Sequence, residues 1–468
     1  MDIIPYMTSN ETIIVGVCCL FLVIVFFLFK PQIFILLNRL AKIKFGGAKN
    51  LTYIDQDFES ESPNADQDFK IELPVPSWLT FTPQKFAGLI VIFVILSTLI
   101  YIAFASFSRA LVQLGNAEFS AGNEKLGIAS YNLALELNHD LKKAISQCST
   151  NITQGQYELA ISYCNEAIEI DGNYAYAYFS RGNAYLNLKQ YDQAITNFTK
   201  DIELIPVATR SYINRGGVYM QLGKYNLAIA DFTKSIEINP KEKQAYLNRG
   251  LSYIPQGQVD LAISDCNKVI EFDGKYWDGY FCLGLAFSNL EKYDVAITNF
   301  DKAIELFPNN QMLYLTRGST YETQGNNDLA ISDYTKAIEI DSNYSAAYSA
   351  RGDLYVNRKE YDLAIADLNK AIEIHPNDTN SNIWRGNAFA ETKKFNLAIA
   401  DYQKALAIKN DAAANSYIYC VQGITYTKMG EFGAAITSLK QGVKLDVKNE
   451  SGWCKLALEN AYKGISTP

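Results

Sequence analysis

The fold is decided by a pattern that occurs twice in succession, WDGYFCLGLAFSNLEKYDVAITNFDKAIELFPNN (residues 277–310) and then QMLYLTRGSTYETQGNNDLAISDYTKAIEIDSNY (residues 311–344). Outward from these two copies, the glycine and alanine register continues at a spacing of 34 residues. The glycines are Gly182, Gly216, Gly250, Gly284, Gly318, Gly352 and Gly386, and the alanines that follow them are Ala194, Ala228, Ala262, Ala296, Ala330, Ala364 and Ala398. From residue 108 onward the chain is therefore a repeat array.

Each repeat contains two apolar stripes with helical spacing. In residues 175–208, Tyr178 and Tyr185 lie on the first stripe, and residues 189–191 interrupt the pattern. The second stripe consists of Ala194, Ile195, Phe198, Ile202 and Leu204. Because apolar residues three or four apart line one side of a helix, the sequence predicts two short amphipathic helices per repeat. Proline, which ends a helix, closes four repeats at Pro206, Pro240, Pro308 and Pro376.

The pattern resembles the tetratricopeptide repeat, whose signature of about 34 residues runs from an aromatic residue and a hydrophobic-Gly pair to a closing Pro. In residues 277–310 the matching residues are Tyr280, Leu283, Gly284, Phe287, Ala296, Phe300, Ala303 and Pro308. We place ten repeats in residues 108–449, starting at 108, 141, 175, 209, 243, 277, 311, 345, 379 and 416, and a capping helix at 450–464. The resemblance covers about three quarters of the chain and implies an all-α superhelical solenoid of helix-turn-helix repeats.

Two segments before the array contain no charged side chain and are predicted to be transmembrane helices. They are residues 12–29, which follow a short N-terminal tail at 1–11, and residues 86–107. A helix of about 20 apolar residues crosses the hydrocarbon core. A cleaved signal peptide, the alternative for the first segment, needs a positive n-region, whereas the tail carries Asp2 and Glu11 and no Lys or Arg. A buried soluble helix, the alternative for either segment, is disfavoured by hydrophobicity on every side.

The segment between the predicted spans, residues 30–85, sets the predicted orientation. Its basic juxtamembrane part follows the first span, while the tail before that span has no basic residue. The basic side chains are Lys30, Arg39, Lys42, Lys44 and Lys49. Cytoplasmic loops accumulate Lys and Arg, so we predict a cytoplasmic loop with the array on the extracytoplasmic side. The flanks of the second span are nearly neutral on this criterion.

The same segment contains two patterns with open interpretations. Apolar and basic residues alternate at helical spacing up to Ile43 and Lys44, which indicates either an interfacial helix or an extension of the first span beyond Pro31. The acidic linker that follows contains the tetrapeptide DQDF at residues 55–58 and 66–69. We interpret it as a solvated linker, with a docking motif or a weak calcium site as the alternatives.

Composition and charge exclude several classes of function. Hydrophobic residues make up 49% of the chain and charged residues 20%, which is the composition of a folding chain. With 42 basic and 50 acidic side chains, the net charge is -8, and we expect no nucleic-acid partner. The two histidines, His139 and His375, are far apart in sequence. We therefore expect no enzyme, with no catalytic residue, no cofactor and no metal site.

Six repeats carry arginine at position seven, where the family pattern has a hydrophobic residue. They are Arg181, Arg215, Arg249, Arg317, Arg351 and Arg385. Sixteen residues later five of the six have an aspartate, Asp231, Asp265, Asp333, Asp367 and Asp401, and the sixth has Asn197. The repeats that have Gln147, Leu283 or Gln422 instead lack the acid as well. We predict that each arginine pairs with the aspartate of its own repeat, and the alternative is a ladder of arginines that binds an acidic ligand.

The resemblance also implies where a partner binds. In the family the first helices line a groove, so positions five, nine, twelve and thirteen of each repeat are expected to face a bound segment. Position five is mostly apolar here, and Asn183 and Asn387 lack the basic neighbours with which relatives clamp a C-terminal carboxylate. We therefore expect an apolar or helical segment of a partner protein, and the alternative is that these side chains pack between helices. The predicted groove residues are Phe179, Asn183, Ile213, Leu247, Phe281, Leu315, Ile383 and Asn387.

The eight cysteines are expected to be buried free thiols. Cys18 and Cys19 fall in the first predicted span, and Cys266 is at a core position. Cys148 and Cys164 occupy positions on facing helices of one repeat, and they are the pair to test as a disulfide if the array is exported.

These features predict a membrane-tethered scaffold or assembly factor that binds one or more proteins through the groove of its repeat array. The alternative is a receptor for a translocating or cytosolic client, which applies if the array faces the cytoplasm. The expected partners are proteins and the lipid bilayer, and end-to-end self-association of arrays remains open.

Overall fold

The computed structural model describes residues 83–408, 411–446 and 452–466, together with two short strands before them. The strands, β1 (Ile43–Lys44) and β2 (Thr52–Tyr53), pair antiparallel with Ile43 opposite Tyr53. Ile43 and Lys44 are thus in a strand, where a helix was predicted, because they pair with the later segment. The predicted tail, the first predicted span and the rest of residues 30–82 lie outside the described residues.

The described residues from 83 onward form helix pairs, as predicted. The helices are α1 (Pro83–Ser120), α2 (Glu124–Leu137), α3 (His139–Thr153), α4 (Tyr157–Ile170), α5 (Ala175–Asn187), α6 (Tyr191–Leu204), α7 (Thr209–Gln221), α8 (Tyr225–Ile238), α9 (Lys243–Tyr253), α10 (Val259–Phe272), α11 (Trp277–Asn289), α12 (Tyr293–Leu306), α13 (Gln311–Thr323), α14 (Asn327–Ile340), α15 (Ser345–Asn357), α16 (Tyr361–Ile374), α17 (Thr379–Glu391), α18 (Phe395–Ala407), α19 (Ala412–Met429), α20 (Phe432–Leu445) and α21 (Gly452–Ser466). A 3₁₀ turn, Ile254–Gln256, extends α9. The chain divides into an N-terminal block up to residue 208 and a C-terminal block from residue 209.

Helix α1 joins the second predicted span to the first repeat without a break. It has 38 residues, and from residue 108 its side chains enter the core, where the Ser108 hydroxyl donates to the Ala134 carbonyl over 2.9 Å. Before that point its large apolar side chains are exposed, Leu99 to 57% and Phe107 to 52%. It is the one described helix that is long and apolar enough to cross a membrane. The first repeat is therefore built on the end of an exposed apolar helix.

Most repeats close by the same contact between their two helices, in which the glycine at position eight of the first helix faces a ring or branched side chain at position 24 of the second. In the repeats starting at 141 and 243, position 24 is a cysteine. A Cβ added at Gly182 would lie 2.7 Å from the Phe198 ring, and Phe198 is fully buried. A Cβ at Gly386 would lie 2.6 Å from the Tyr402 ring. The periodic glycines are required because the second helix occupies the space of a side chain.

The predicted pairing of arginine with aspartate is confirmed. Arg317 donates from Nε and Nη2 to both carboxylate oxygens of Asp333, at 2.8 and 2.7 Å, and the side chains are 18% and 7% exposed. The same two-pronged contact holds Arg215, Arg249, Arg351 and Arg385 to their aspartates. Burial by itself lowers the pKa of Arg317, but the hydrogen bonds and charges of Asp333 and Asp301 outweigh it and raise the pKa above its ordinary value.

Four of these arginines in the C-terminal block also reach back to the preceding repeat, which the sequence did not predict. Arg317 Nη1 binds Asp301 at 2.5 Å, and Arg351 Nη1 donates to the Thr335 hydroxyl over 2.8 Å. Arg249 and Arg385 make the equivalent contacts to Thr233 and Asn369. One guanidinium therefore joins the second helices of two successive repeats, and few of its donors remain for a ligand.

The cysteines of the described residues form three disulfides, which corrects the expectation of free thiols. The bonds join Cys148 to Cys164, Cys266 to Cys282 and Cys420 to Cys454, with Cα–Cα distances of 5.3, 5.8 and 5.5 Å. The first bond lies within one repeat, the second joins successive repeats, and the third joins the last repeat to α21. These Cα separations are in the range usual for disulfides.

Each disulfide has at least one cysteine in a repeat that lacks the arginine, and Cys266 is the one bridged cysteine of the described residues in an arginine-bearing repeat. Among the repeats from residue 141 onward, position seven is occupied by Gln147, Leu283 and Gln422 in place of arginine. The residues adjacent to the first two, Cys148 and Cys282, are bridged, and so is Cys420, two residues before Gln422. In each of the three repeats with Gln147, Leu283 or Gln422, a disulfide cysteine therefore lies within two residues of the position that the arginine occupies elsewhere.

Candidate partner-binding groove

The first helices of successive repeats lie side by side in the C-terminal block. Helix α9 packs against α11, and α15 packs against α17. Positions nine, twelve and thirteen of these helices contribute to two pockets within the block. We call the face of α7, α9, α11, α13, α15 and α17 that carries these positions the A-helix groove.

The first pocket in the A-helix groove is apolar. It lies between α7, α9 and α11 and has a volume of about 690 Å³. Because Pro255 has no backbone N–H to donate, α9 ends at Tyr253 and is followed by the 3₁₀ turn Ile254–Gln256. Ile254 and Pro255 of this turn line the pocket. We call it the apolar pocket, and its apolar lining consists of Met220, Leu251, Ile254, Pro255 and Leu285.

A second pocket, of about 920 Å³, lies between α13, α15 and α17 and carries three carboxyl groups, Glu322, Asp353 and Asp378. Asp378 caps α17 by accepting from the Ser381 amide at 3.1 Å. The Tyr334 hydroxyl donates to Glu322 over 2.5 Å. The indole of Trp384 lines the same space, which we call the acidic pocket.

Asp353 is the least satisfied group in the acidic pocket. Its Oδ1 is shielded from solvent and has no hydrogen-bond partner among the described residues. Burial, with a smaller contribution from the charge of Glu322, raises the pKa of Asp353 to about 6. Burial and the bond to Glu322 also raise the pKa of Tyr334. The pocket therefore concentrates negative charge that the chain itself does not neutralise.

The predicted groove residues are distributed between the core and the groove. Leu247 and Ile383 are core residues, each 4% exposed. The Asn387 carbonyl oxygen accepts from the Tyr402 hydroxyl at 2.8 Å, and Leu315 lines the acidic pocket. Partly buried rings or side chains are found at Phe179 (against Tyr176 and Phe198), Asn183, Ile213 and Phe281 (against Trp277 and Phe300). Whether these residues contact a partner stays a prediction.

The apolar residues of the first pocket lie mostly at positions nine and twelve, and so do two of the acids of the second pocket. The sequence prediction included both positions among those that face a bound segment, but most of the residues it named are at position five. Leu251, Leu285 and Asp353 occupy position nine, and Met220 and Glu322 occupy position twelve. The signal was present in the sequence, since position nine changes from apolar in the repeats starting at 243 and 277 to acidic in the repeat starting at 345. Position five was misleading because an apolar side chain there is equally suited to the core.

Stacked helix pairs with an open groove along their first helices define a class of protein-binding solenoid. Family models described as "Tetratricopeptide repeat" match residues 149–174, 163–196, 209–242, 243–276, 277–310, 313–344, 345–378, 379–411 and 416–449, more than half of the chain. The chain belongs to the tetratricopeptide-repeat family, whose members generally mediate protein–protein interactions or assembly.

Solved structures are similar in fold. A tetratricopeptide repeat protein from Parabacteroides merdae is 20% identical, with a TM-score of 0.49 over 54% of this chain and 100% of that chain. The Cut9–Hcn1 hetero-tetramer of APC/C gives 16% identity and a TM-score of 0.47 over 74% of each chain. For PilF of Pseudomonas aeruginosa the identity is 16% and the TM-score 0.41, over 47% of this chain and 96% of that chain. None of the curated proteins matches this chain.

Proposed function

We propose that this protein is a membrane-tethered scaffold that holds partner proteins beside the bilayer, with its repeat array on the extracytoplasmic side. The observation that carries the proposal is the continuity of α1, which runs from an exposed apolar segment into the buried first helix of the array. A repeat array attached in this way has no flexible linker between the membrane and its first repeat.

The tether is supported by the exposure of the apolar part of α1. Ile95, Leu96, Leu99, Ile102 and Phe107 are all between 47% and 57% exposed. A contiguous exposed apolar patch of this kind is typical of a surface that contacts a membrane or another protein. Lipid is the occupant that suits a helix that is apolar on every side, because a protein partner would cover one side only.

The orientation is supported by two independent features. The loop that follows the first predicted span carries Lys30, Arg39, Lys42, Lys44 and Lys49, which is typical of a cytoplasmic loop. All six cysteines of the described helices are paired as disulfides, and disulfides persist in oxidising compartments while cytosolic thiols stay reduced. Both features favour an array outside the cytoplasm, and they count against the alternative of a receptor for cytosolic clients.

Partner binding is tested by a photo-crosslinking amino acid placed in the groove of the full-length protein in its native membrane. Met220 and Leu285 line the apolar pocket, and Leu261, 50% exposed on the second helix of the same block, is the matched control. We expect discrete adducts from the two groove positions and none from the control. Equal crosslinking at all three positions, or none at the groove, would contradict a groove-binding scaffold.

A further inference from the structure

The A-helix groove contains two pockets of different chemistry, one without charged side chains and one with three carboxyl groups. The apolar pocket between α7, α9 and α11 is lined by Met220, Leu251 and Leu285. The acidic pocket follows between α13, α15 and α17. A segment lying along the groove therefore meets apolar side chains at one pocket and carboxyl groups at the other. This inference rests on the proposed function, since it concerns what such a scaffold binds.

Charge decides which chemistry suits the acidic pocket. Glu322, Asp353 and Asp378 line it, and in the described part of the chain no Lys or Arg does. The one basic side chain in its lining is His375, whose Nδ1 is 2.5 Å from the Ser345 hydroxyl. An anionic ligand would face uncompensated repulsion here, whereas a cation would be attracted by at least two carboxylates.

Asp353 and Glu322 differ in how far they are already satisfied. Glu322 accepts one hydrogen bond from Tyr334, while Asp353 Oδ1 has no partner among the described residues. A shielded carboxylate oxygen without a donor is unfavourable, and its burial raises the pKa of Asp353 to about 6. An N–H donor supplied by a partner removes that penalty, so binding and charge neutralisation occur together.

The walls of the pocket favour an organic cation over a metal ion. Calcium takes about six to eight oxygen ligands, and the described residues contain no group of three or more His, Cys, Asp or Glu arranged to hold a metal ion. The partly buried Trp384 instead provides aromatic surface, which suits a planar guanidinium and an aliphatic side-chain stem.

We propose that the A-helix groove docks a partner segment whose arginine or lysine enters the acidic pocket, paired with Asp353 and Glu322, while an apolar residue of that segment fills the apolar pocket. A groove that recognises a basic side chain in this way differs in charge preference from one that clamps a C-terminal carboxylate. The apolar pocket contributes buried apolar surface to binding, and the acidic pocket makes binding selective for a basic side chain.

The test uses N-acetyl-arginine amide as the probe and N-acetyl-citrulline amide, its neutral isostere, as the matched ligand. Binding to the oxidised full-length protein in detergent micelles is followed by saturation-transfer NMR and by Trp384 fluorescence. For a probe of this size we expect a dissociation constant of about millimolar. Asp353→Asn and Glu322→Gln are compared with Glu158→Gln, which changes an exposed acid outside the groove.

We expect wild type and Glu158→Gln to bind the arginine probe equally, and Asp353→Asn to bind it about tenfold more weakly or worse. Citrulline amide should not bind. The proposal is overturned if no arginine binding is detected, if citrulline amide binds as well, or if both pocket variants bind like wild type while circular dichroism shows them folded. The probe reports on the pocket alone, so such a failure leaves the membrane tether and the crosslinking result to stand by themselves.

Discussion

At the residue scale, the arginine of each repeat is the feature that most directly fixes how helices meet. Arg317 contacts Asp333 in its own repeat and Asp301 in the preceding one, and Tyr314 and Tyr321 lie within 5.6 and 5.9 Å of its guanidinium carbon. Removing one member of a buried pair leaves the other unpaired, which is far worse than replacing both. The arginine ladder is therefore a device that sets the register of the repeats.

A natural replacement within the same chain makes this testable. The repeat starting at 277 has Leu283 and Asn299 where its neighbour has Arg317 and Asp333. We expect Arg317→Leu alone to destabilise the protein by about 2–4 kcal/mol, since Asp333 is only 7% exposed. The double variant Arg317→Leu with Asp333→Asn should recover more than half of that loss. Thermal unfolding of the single and double variants measures both, and additive losses would refute the pair as a unit.

The unpaired carboxyl of Asp353 predicts a pH-dependent stability. Its pKa is raised to about 6 from an ordinary 3.8 by burial and by Glu322, with Tyr334, Asp378 and His375 also lining the pocket. Because the folded state binds this proton more tightly than the unfolded state, Asp353 makes its full contribution to the free energy of unfolding below about pH 4. That contribution is lost as the pH rises towards 6.

Asp353→Asn should therefore raise the melting temperature at pH 7 and leave it unchanged at pH 4. The gain is about 1–2 kcal/mol after allowance for solvent screening of a partly exposed group. Unfolding curves at the two pH values, with Glu158→Gln as control, give the measurement. An equal gain at both pH values would mean that charge burial is not the cause. A binding-site residue is expected to show this trade-off, in which the side chain that binds a ligand lowers the stability of the free protein.

At the element scale, the turn between the two helices of a repeat always uses a left-handed residue at position fifteen. Glycine fills it in several repeats, including Gly325 with φ of 89°, whereas Lys359 has φ of 63°. A side chain in this conformation costs about 1–2 kcal/mol, partly offset by the flexibility of glycine in the unfolded chain.

We expect Lys359→Gly to stabilise the protein by up to about 1 kcal/mol and Gly325→Ala to destabilise it by a similar amount. The Cβ that Gly325→Ala adds has no atom within 4 Å, so the effect of this substitution is confined to the backbone. Urea unfolding of the two variants compares them. If both substitutions lowered stability, the turn geometry would not be the controlling factor.

The sequence predicted these helices well because each repeat carries its own register. The contact of Arg317 with Asp333 lies inside one repeat, so a spacing of sixteen residues was sufficient to predict it. The contacts of Arg317 to Asp301 and of Cys266 to Cys282 depend on how one repeat packs on the next. No spacing within a single repeat indicates that packing, and for the same reason the two pockets were not located.

At the scale of the whole molecule, ion pairs stabilise some repeats of the array and disulfides stabilise others. Reduction should loosen the repeats that contain Cys148, Cys282 and Cys420 and leave the arginine-bearing repeats without a cysteine, such as those starting at 311 and 345, close to their oxidised state. Each disulfide typically contributes about 2–4 kcal/mol. Hydrogen exchange of the oxidised and reduced protein resolves this by segment. A uniform loss of protection along the array would contradict the division.

The central claim, a membrane-anchored array in an oxidising compartment, is tested most directly by topology. A reporter active only outside the cytoplasm is fused after Pro468 and, separately, near Asn64 in the linker, and the thiols of the same protein are titrated with a maleimide–polyethylene glycol before and after reduction. The account predicts an active C-terminal fusion, a silent linker fusion, and six cysteines that become reactive only on reduction. A silent C-terminal fusion with thiols reactive from the start would contradict it.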